Sequence, residues 1–405
     1  MPDAIEQPSS SLKRDVSVIS LIGSAHFFSH FYQLSLAPLF PLLHDVFGVS
    51  YVMLGSAVTV FYAVSGVCQT FAGILVDHYG SRRILIAGIA LMAISFLLIG
   101  LVPQFWMFYP LLILAGFGNS IFHPSDFSAL SHYVSLERHG RAFSIHAFAG
   151  SLGYAAAPII TGSLGVVFGW RLALVIAGLL GLGMTGLLLR YSKRFMPDFH
   201  EEHKAENHPK FSYLKVITMP AIMLAFAYLV FTSSATGAIQ TFSTVSFIDH
   251  YHVTLTAAAT ALSAYIICSA LGMLTGGVIA DHTKRHARVA MTGLALASWF
   301  TAIVALGHLP FAWVIAALAA AGFCQGTTTP SRDILVKNAA PPGSIGRVFG
   351  IVYSGGDAAL AISPLAFGAL ADHHAYHMIF LGVAVLYLIG IATVMNMGQK
   401  QAAQS

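Results

Sequence analysis

The stretch GFGNSIFHPSDF, residues 116–127, places an amide, an imidazole, a proline and a carboxylate inside an apolar run that is long enough to cross a membrane. Polar groups at such depth are costly and typically functional. The same skeleton returns 206 residues later (322 − 116) as GFCQGTTTPSRD, in which the glycine, phenylalanine, proline and serine keep their places. A duplicated chain with buried polar groups at matching positions indicates a membrane protein whose site lies between two repeats.

The composition is that of an integral membrane protein. Of the 405 residues, 57% are hydrophobic and 9% are charged, whereas an average soluble domain carries about 25% charged residues. Apolar runs of about 20 residues, each sufficient to span a bilayer as a helix, recur along the chain. The formal net charge of +4 comes from bases in short loops rather than from one patch. We therefore expect a lipid bilayer as the surroundings and no nucleic-acid partner.

The apolar segments predict an all-α integral membrane protein with twelve transmembrane helices. They cover residues 16–43, 51–76, 83–102, 105–134, 141–168, 171–190, 216–247, 255–280, 288–307, 310–337, 346–371 and 376–397. The one long polar linker, residues 191–215, divides six helices from six. We expect a tail at 1–15, six-helix bundles at 16–190 and 216–397, and a second tail at 398–405.

Lysine and arginine predict the orientation, because cytoplasmic loops retain these residues. Bases precede the first helix at Lys13 and Arg14, occur throughout the 191–215 linker and follow the last helix at Lys400. The loops on the opposite side hold acids and a single base, Arg171. The pattern predicts a multi-pass protein of the cell inner (plasma) membrane with both termini in the cytoplasm.

The duplication extends beyond the opening stretch. GRAF at residue 140 pairs with GRVF at residue 346, Pro158 pairs with Pro364, and Gly162 pairs with Gly368, all at the same offset. An unbroken register of this kind indicates two parallel repeats of one six-helix unit. We therefore expect two pseudo-symmetric halves.

Polar residues form stripes on the first and fourth predicted helices. Within each stripe the spacing places the side chains on one face of the helix. The second half has mostly uncharged residues near the matching positions. Separately, Asp357, whose repeat partner is Ser151, lies near the middle of the eleventh helix and ranks first among the groups expected to titrate. The alternative is that the histidines are hydrogen-bonded core residues. The predicted substrate or proton pathway comprises His26, His30, Gln33, Asn119, His123, Gln240, Gln325 and Asp357.

Two loops on the predicted cytoplasmic side resemble a known signature. GILVDHYGSRR ends the second helix, and GVIADHTKRHAR ends the eighth. Both resemble the motif G-x-x-x-D-R-x-G-R-R of the major facilitator superfamily, although His78 and Ser81 replace two of its arginines. The resemblance implies that each aspartate caps a helix of the other half and pairs with nearby arginines, which holds the cytoplasmic side closed. The implied gate residues are Asp77, Arg82, Arg83, Arg141, Asp281 and Arg347.

Three charged residues of the repeated stretch leave two alternatives open. Asp126, Arg332 and Asp333 come late in their helices, toward the cytoplasm. Either they form ion pairs of a cytoplasmic gate, or they contact the substrate, in which case Arg332 is the best-placed cation for an anion. A gate that pairs Asp126 with Arg332 predicts that exchanging the two charges restores what either single reversal abolishes.

The 19 histidines raise the alternative of a membrane-bound metal enzyme. Such enzymes need several histidine boxes that converge on one metal. Here the histidines are divided between the membrane interior and the outer loop DHHAYH, residues 372–377. The sequence therefore predicts a solvated loop, no metal site and no cofactor. The resemblance to the superfamily implies the proton gradient as the driving force.

Over its full length the chain resembles a major facilitator transporter and, more narrowly, the fosmidomycin-resistance group. The segments HFFSHFYQ and APLFPLL within residues 26–43, together with residues 116–127, are similar to patterns of that group. GYAAAPIITG, residues 153–162, resembles the antiporter signature of the superfamily, although helix packing explains it equally well. Where the group has acids in its first helix and directly after His-Pro, this chain has His30 and Ser125, so substrate identity and proton stoichiometry do not carry over.

The resemblance implies a transporter rather than an enzyme. It implies efflux of a small molecule, either a drug or an anionic metabolite such as a phosphonate, coupled to protons by alternating access. Uptake of an organic anion by proton symport is the alternative, and a histidine-rich membrane metal enzyme is a more distant one. We expect a monomer.

Overall fold

The computed structural model describes residues 12–135, 138–196, 218–339 and 345–402, and the regular structure within these ranges is helical. Two short 3-10 turns occur at Ala37–Leu39 and Phe105–Met107. The α-helices are α1 (Leu12–Ser35), α2 (Phe40–Phe47), α3 (Tyr51–Tyr79), α4 (Ser81–Ile99), α5 (Phe108–Ser120), α6 (Phe122–Tyr133), α7 (His139–Phe195), α8 (Pro220–Tyr251), α9 (Leu255–His282), α10 (His286–Ala305), α11 (Phe311–Ala339), α12 (Ile345–Asp372) and α13 (Tyr376–Ala402).

These helices match the twelve predicted spans. Within the described ranges, 10 stretches are long and apolar enough to cross a membrane, and one of them, Ala142–Phe195, contains both the fifth and the sixth predicted span. The first predicted span corresponds to α1 together with α2. The prediction of an all-α membrane fold with twelve spanning helices is confirmed.

Four spans differ from the prediction because of proline or glycine. The first helix ends at Ser35, since Pro38 and Pro41 start the 3-10 turn and α2. The fourth span is broken at Ile121, because Pro124 lacks the N–H that would bond the carbonyl four residues earlier. The fifth and sixth spans form one long helix, α7, in which Gly169 (φ 80°, ψ 157°) turns the chain. A conformation of that kind is essentially restricted to glycine.

The chain forms two compact units, each built from separate segments, and the predicted bundle limits of 16–190 and 216–397 stay a prediction. Unit 1 consists of the described parts of Met1–Gln33, Val64–Tyr154 and Arg171–His203. Its helices approach closely where side chains are small: a Cβ added to Gly88 would lie 2.8 Å from the carbonyl oxygen of Gly118. The buried Tyr32 donates its hydroxyl to the carbonyl of Ala177 at 2.9 Å. These contacts hold α1 and α5 in fixed positions within the unit.

Unit 2 consists of Leu34–Ala63, Ala155–Trp170 and the described part of Lys204–Ser405. Asp372, the last residue of α12, accepts hydrogen bonds from the first two backbone N–H groups of α3, with the Val52 bond at 3.0 Å. A carboxylate at a helix N-terminus is favoured by the helix dipole. Ser263 of α9 donates to the carbonyl of Ala155 in α7 at 2.8 Å. The start of α3 and the middle of α7 are therefore packed on α12 and α9.

Candidate functional site

Four imidazoles and a carboxylate meet within unit 1. Helix α1 contributes His26 and His30, α6 contributes His123 and Asp126, and α7 contributes His146. We call these five side chains the imidazole cluster. Residues three or four apart on a helix share a face, so each predicted stripe puts its residues on one side of its helix. The packing of α1 beside α6 then brings the two sides together.

Asp126 is the most deeply buried member of the cluster. Its Oδ2 atom lies 2.8 Å from Nε2 of His146 and 2.9 Å from Nδ1 of His26. An ionised carboxylate only accepts, so Nε2 of His146 carries the proton in that hydrogen bond. Nδ1 of His26 is within ion-pair distance but is out of line for a hydrogen bond. Asp126, His26 and His146 are 0%, 2% and 4% exposed, respectively.

The imidazole rings of the cluster are in mutual contact. The rings of His26 and His146 stack with centroids 3.6 Å apart, and the rings of His26 and His30 lie 4.4 Å apart. The ring centroid of His123 lies 5.5 Å from that of His26. Both ring nitrogens of His30 are buried without a hydrogen bond in the described residues. The cluster thus offers one negative charge and several nitrogen lone pairs in a small volume.

Gly150 of α7 makes room for two of these rings. A Cβ at this position would lie 2.9 Å from Nε2 of His26 and 3.2 Å from Cε1 of His30. Such distances are closer than van der Waals contact allows, so any larger residue would push the imidazoles aside. The glycine therefore permits α7 to pack directly over the cluster.

An amide network adjoins the cluster and is centred on Asn119. Its Oδ1 accepts hydrogen bonds from Ser29 and Gln33, both at 3.0 Å, and its Nδ2 donates to Ser65 at 2.8 Å. Gln33 in turn accepts from the hydroxyl of Tyr154 at 2.5 Å. The Tyr154 ring lies edge-on to that of His30, with centroids 4.3 Å apart. The two predicted stripes are therefore joined into one polar region by residues of α3 and α7.

The predicted pathway residues of the second half lie in unit 2. Gln325 accepts a hydrogen bond from Ser269 at 3.0 Å, while Gln240 and Asp357 are half-buried. Asp357 makes no hydrogen bond or ion pair among the residues that the structure describes. Its assignment as a titrating group stays a prediction.

Arg332 forms a compact group with two neighbours. Its Nε and Nη2 atoms lie 2.9 and 2.8 Å from Oδ1 of Asp333. The hydroxyl of Tyr353 donates to the same carboxylate oxygen at 3.0 Å, and the guanidinium lies 5.5 Å from the centroid of that ring. An anionic substrate would have to compete with Asp333 for this guanidinium.

The predicted gate residues are only partly described. Arg82 is half-buried and Arg83 is exposed in the first turn of α4. Asp126 and Arg332 have the partners given above, and a gate between them stays a prediction. The side chains of Asp77, Arg141, Asp281 and Arg347 lie outside the described set.

Sequence reasoning missed four members of the polar region, namely His146, Tyr154, Ser65 and Ser29. His146 lies within the predicted fifth span, and an ionisable residue in a span is a functional candidate by default. That signal could have found it. Ser65 and Tyr154 are ordinary in a membrane helix, and only the packing of α3 and α7 against α1 shows their role.

A second missed group lies just before the first predicted span. Asp15 accepts hydrogen bonds from the hydroxyl of Ser135 at 2.7 Å and from Nε of Arg138 at 2.6 Å. Burial alone would raise the pKa of Asp15, but these bonds outweigh it and hold the pKa below its ordinary value of 3.8. The group ties the start of α1 to the segment that follows α6.

The imidazole cluster contains two overlapping sets of potential metal ligands. In each set the nitrogen and oxygen atoms lie within 4.8 Å of one another. One set is His26, His30 and His123, and the other is His26, Asp126 and His146. Imidazole nitrogens and carboxylate oxygens are the donors that zinc-like ions bind.

Comparison with known proteins gives a consistent picture. The sequence model of the Major Facilitator Superfamily matches residues 22–248 and 224–398. An uncharacterized MFS-type transporter of Bacillus subtilis (strain 168), YfnC, is 25% identical over 379 residues, which are 92% of this chain and 91% of the relative. The fosmidomycin resistance protein of Escherichia coli (strain K12) is 23% identical over 386 residues, 93% of this chain and 92% of that protein.

The fold also matches solved structures. A bacterial homolog of the human lysosomal transporter Spinster, in an inward-facing and unoccupied conformation, superposes with a TM-score of 0.75. The alignment covers 96% of this chain and 98% of that chain at 14% sequence identity. At this identity the likeness concerns the fold alone.

Proposed function

Because the chain belongs to the major facilitator superfamily, we propose that this membrane transporter exports a small molecule in exchange for protons by alternating access. The observation that carries the proposal is the position of Asp126, within contact distance of the imidazoles of His26 and His146. Histidine is the side chain whose charge changes near neutral pH, and a carboxylate in contact with it can exchange a proton with it. Three helices bring them together inside the bundle.

Proton exchange at the cluster is supported by the kind of partner that Asp126 has. Among the described residues its ion pairs are to histidines, which can lose their charge, whereas the carboxylate of Asp333 is paired with an arginine that stays charged. A proton arriving at Asp126 can be shared with His146, which neutralises or restores the buried charge. The first half is therefore the proton-handling half of the proposed mechanism.

In the proposed mechanism, the amide network supplies the uncharged groups that recognise the substrate. Gln33, Asn119 and Tyr154 offer donors and acceptors beside the cluster. A substrate that replaces some of these bonds would alter the surroundings of His30, whose ring contacts Tyr154. This gives a physical link between substrate release and proton uptake, because both change the polarity around the same imidazole.

The direction and cargo of transport are proposed from similarity. The resemblance to the fosmidomycin-resistance group, and the name of the Escherichia coli relative, favour export of a drug or a phosphonate-like metabolite. In the proposed cycle the protein acts as a monomer in the inner membrane with both termini in the cytoplasm. Protons move from the outside to the cytoplasm as the substrate moves from the cytoplasm to the outside.

The test uses everted inner-membrane vesicles from cells that express the protein. Respiration acidifies the vesicle interior, and a pH-sensitive dye reports the gradient. Adding fosmidomycin, the compound in the name of the relative, should partly collapse the gradient if the drug enters in exchange for protons. We expect Asp126→Asn to abolish this response, because the amide cannot take up a proton.

The matched control is Asp45→Asn, the same chemical change at an exposed position, which should leave the response intact. A full response in the Asp126→Asn vesicles would show that this carboxylate is not required for coupling. Uptake by symport predicts a different result: adding the compound to de-energised whole cells would make the medium alkaline, because protons would enter with it.

A further inference from the structure

We propose that the imidazole cluster binds a divalent transition-metal ion of the zinc type. The sequence argued against a metal site because the histidines are distributed along the chain and into the outer loop. The fold changes that argument, since four of them converge with one carboxylate on a single point of unit 1. A set of imidazoles with one carboxylate is the donor set of zinc and of neighbouring ions such as cobalt and nickel.

The first support is the spacing of the donor atoms. Donors that bind zinc at about 2.0–2.2 Å in a tetrahedral arrangement lie roughly 3.3 Å from one another. Oδ2 of Asp126 is 2.9 Å from Nδ1 of His26 and 2.8 Å from Nε2 of His146. An outward movement of about half an ångström would therefore admit an ion between the three donors, which is within the range of side-chain rotation.

The second support is the unused bonding capacity of the cluster. Oδ1 of Asp126, Nδ1 of His26 and both ring nitrogens of His30 are buried and make no hydrogen bond among the described residues. Asp126 and His26 are 0% and 2% exposed. Buried polar atoms normally have a partner, and lone pairs of this kind are what a metal ion takes up.

The third support is charge. When it is ionised, Asp126 places a negative charge in an apolar span, and its described ion-pair partners are histidines that are neutral when they bind metal. A buried charge without a compensating one is unfavourable. A divalent cation supplies that compensation, and it does so with the donor types present.

His26 belongs to both potential ligand sets. Its two ring nitrogens point in different directions, Nδ1 toward Asp126 and Nε2 toward the space beside Gly150. We assign the ion to the Asp126 side, where all three donor residues are buried. His30 and His123 then lie next to the site, where they can accept the protons that the ligands release.

This inference concerns what the cluster binds and does not rest on the direction of transport. It does predict competition, because metal ligands must be deprotonated and metal binding therefore releases protons. Zinc should bind more tightly as the pH rises, and it should oppose proton loading of the same groups.

The experiment is a calorimetric titration with Zn²⁺ of purified, tag-free full-length protein that has first been treated with a chelator. We expect about one ion per chain and release of protons, measured by repeating the titration in buffers of different ionisation enthalpy. His146→Gln and Asp126→Asn should each weaken binding at least about ten-fold, the lower end of what loss of even a supporting group costs in metal sites.

The matched control replaces the exposed histidines of the outer loop, His373, His374 and His377, by alanine. This variant should keep the tight site. The proposal is overturned if the wild type binds no zinc, or if zinc binding survives the cluster variants and disappears with the loop histidines. The absorption spectrum of the Co²⁺-loaded wild type provides a readout without mutation: intense visible bands indicate four-coordinate protein ligands, and the weak spectrum of hydrated cobalt contradicts the site.

Discussion

At the scale of single residues, Asn119 uses both ends of its amide. It accepts from Ser29 and Gln33 and donates to Ser65, and its side chain is buried. Asn119→Ala would remove the bond that each of these partners makes to Asn119, at a cost of about 1–3 kcal/mol for each group left buried and unsatisfied. We expect a clear fall in the apparent melting temperature of the detergent-purified protein.

The control for Asn119 is its repeat partner Gln325, which accepts one hydrogen bond, from Ser269. Gln325→Ala should lower the melting temperature less, because fewer partners are left unsatisfied. An equal decrease of the melting temperature in the two variants would show that the amide network of unit 1 contributes no more to stability than the single bond of Gln325.

The carboxyl group of Asp15 should make the stability of the folded protein depend on pH. Its pKa is held below the ordinary value by Ser135 and Arg138 against the effect of burial. A carboxyl group with a lowered pKa in the folded state stabilises that state at pH values above its unfolded pKa, and this contribution is lost as the pH falls through the folded pKa. Asp15→Asn should thus be less stable than the wild type near neutral pH by about 2 kcal/mol, the usual contribution of charged hydrogen bonds.

The measurement for Asp15 is thermal unfolding of both proteins between neutral pH and about pH 3, just below the ordinary carboxyl pKa. The difference between them should shrink on acidification. A difference that stays constant over this range would contradict the assignment of the effect to the ionised carboxylate.

At the scale of helices, Gly169 is the residue that separates two spans within α7. Its φ of 80° with ψ of 157° is closed to residues with a Cβ, although no neighbouring atom within 4 Å blocks the position. Gly169→Ala should therefore cost about 1–3 kcal/mol through the backbone alone, measured as a lower melting temperature. Gly183→Ala, at an open helical position of the same helix, should be neutral or slightly stabilising.

The helices show where sequence reasoning succeeds and where it stops. Apolar length located the spans, because one property, hydrophobicity, decides whether a segment enters the membrane. The break at Ile121 and the turn at Gly169 were not predicted, since proline and glycine are common in membrane helices and only sometimes interrupt them. The pattern marks these residues as candidates, but packing decides which of them bend the chain.

In the candidate site, too, local spacing was predictable from the sequence and contacts between helices were not. Helical spacing correctly grouped His26 with His30, and His123 with Asp126, because residues on one face are determined by local geometry. It could not show that His146 completes the group, since the contact between α6 and α7 depends on tertiary packing. Nor could it show that Asp333 lies against the neighbouring Arg332 rather than against another element.

At the scale of the whole molecule, the proposed alternating access moves the two predicted halves, residues 16–190 and 216–397, against each other, so a contact between residues of the two predicted halves should break during the cycle. A Cβ built on Gly162 of α7 lies 3.2 Å from Cβ of Ala259 in α9, close to the Cβ separation of a disulfide. Gly162→Cys combined with Ala259→Cys should form a disulfide on oxidation and stop transport in the vesicle assay. Reduction should restore it.

The single-cysteine variants control for the substitutions and for the native cysteines, and they should transport equally well under both conditions. Transport at the wild-type rate by the fully oxidised double variant, with disulfide formation verified by loss of free thiols, would show that these segments need not separate.

The make-up of unit 2 has a consequence for biogenesis. Residues 34–63 and 155–170 leave the ribosome before α8 to α13 exist, yet they belong to the same compact unit. Gly55 lies close against the carbonyl of Pro364, and Gly162 lies close against Ala259. These helices therefore enter the bilayer with small-residue surfaces still uncovered. A nascent chain that stalls before α12 still displays the surface around Gly55, and one that stalls before α9 displays both surfaces. Membrane quality control can therefore recognise an incomplete molecule from helices that were inserted first.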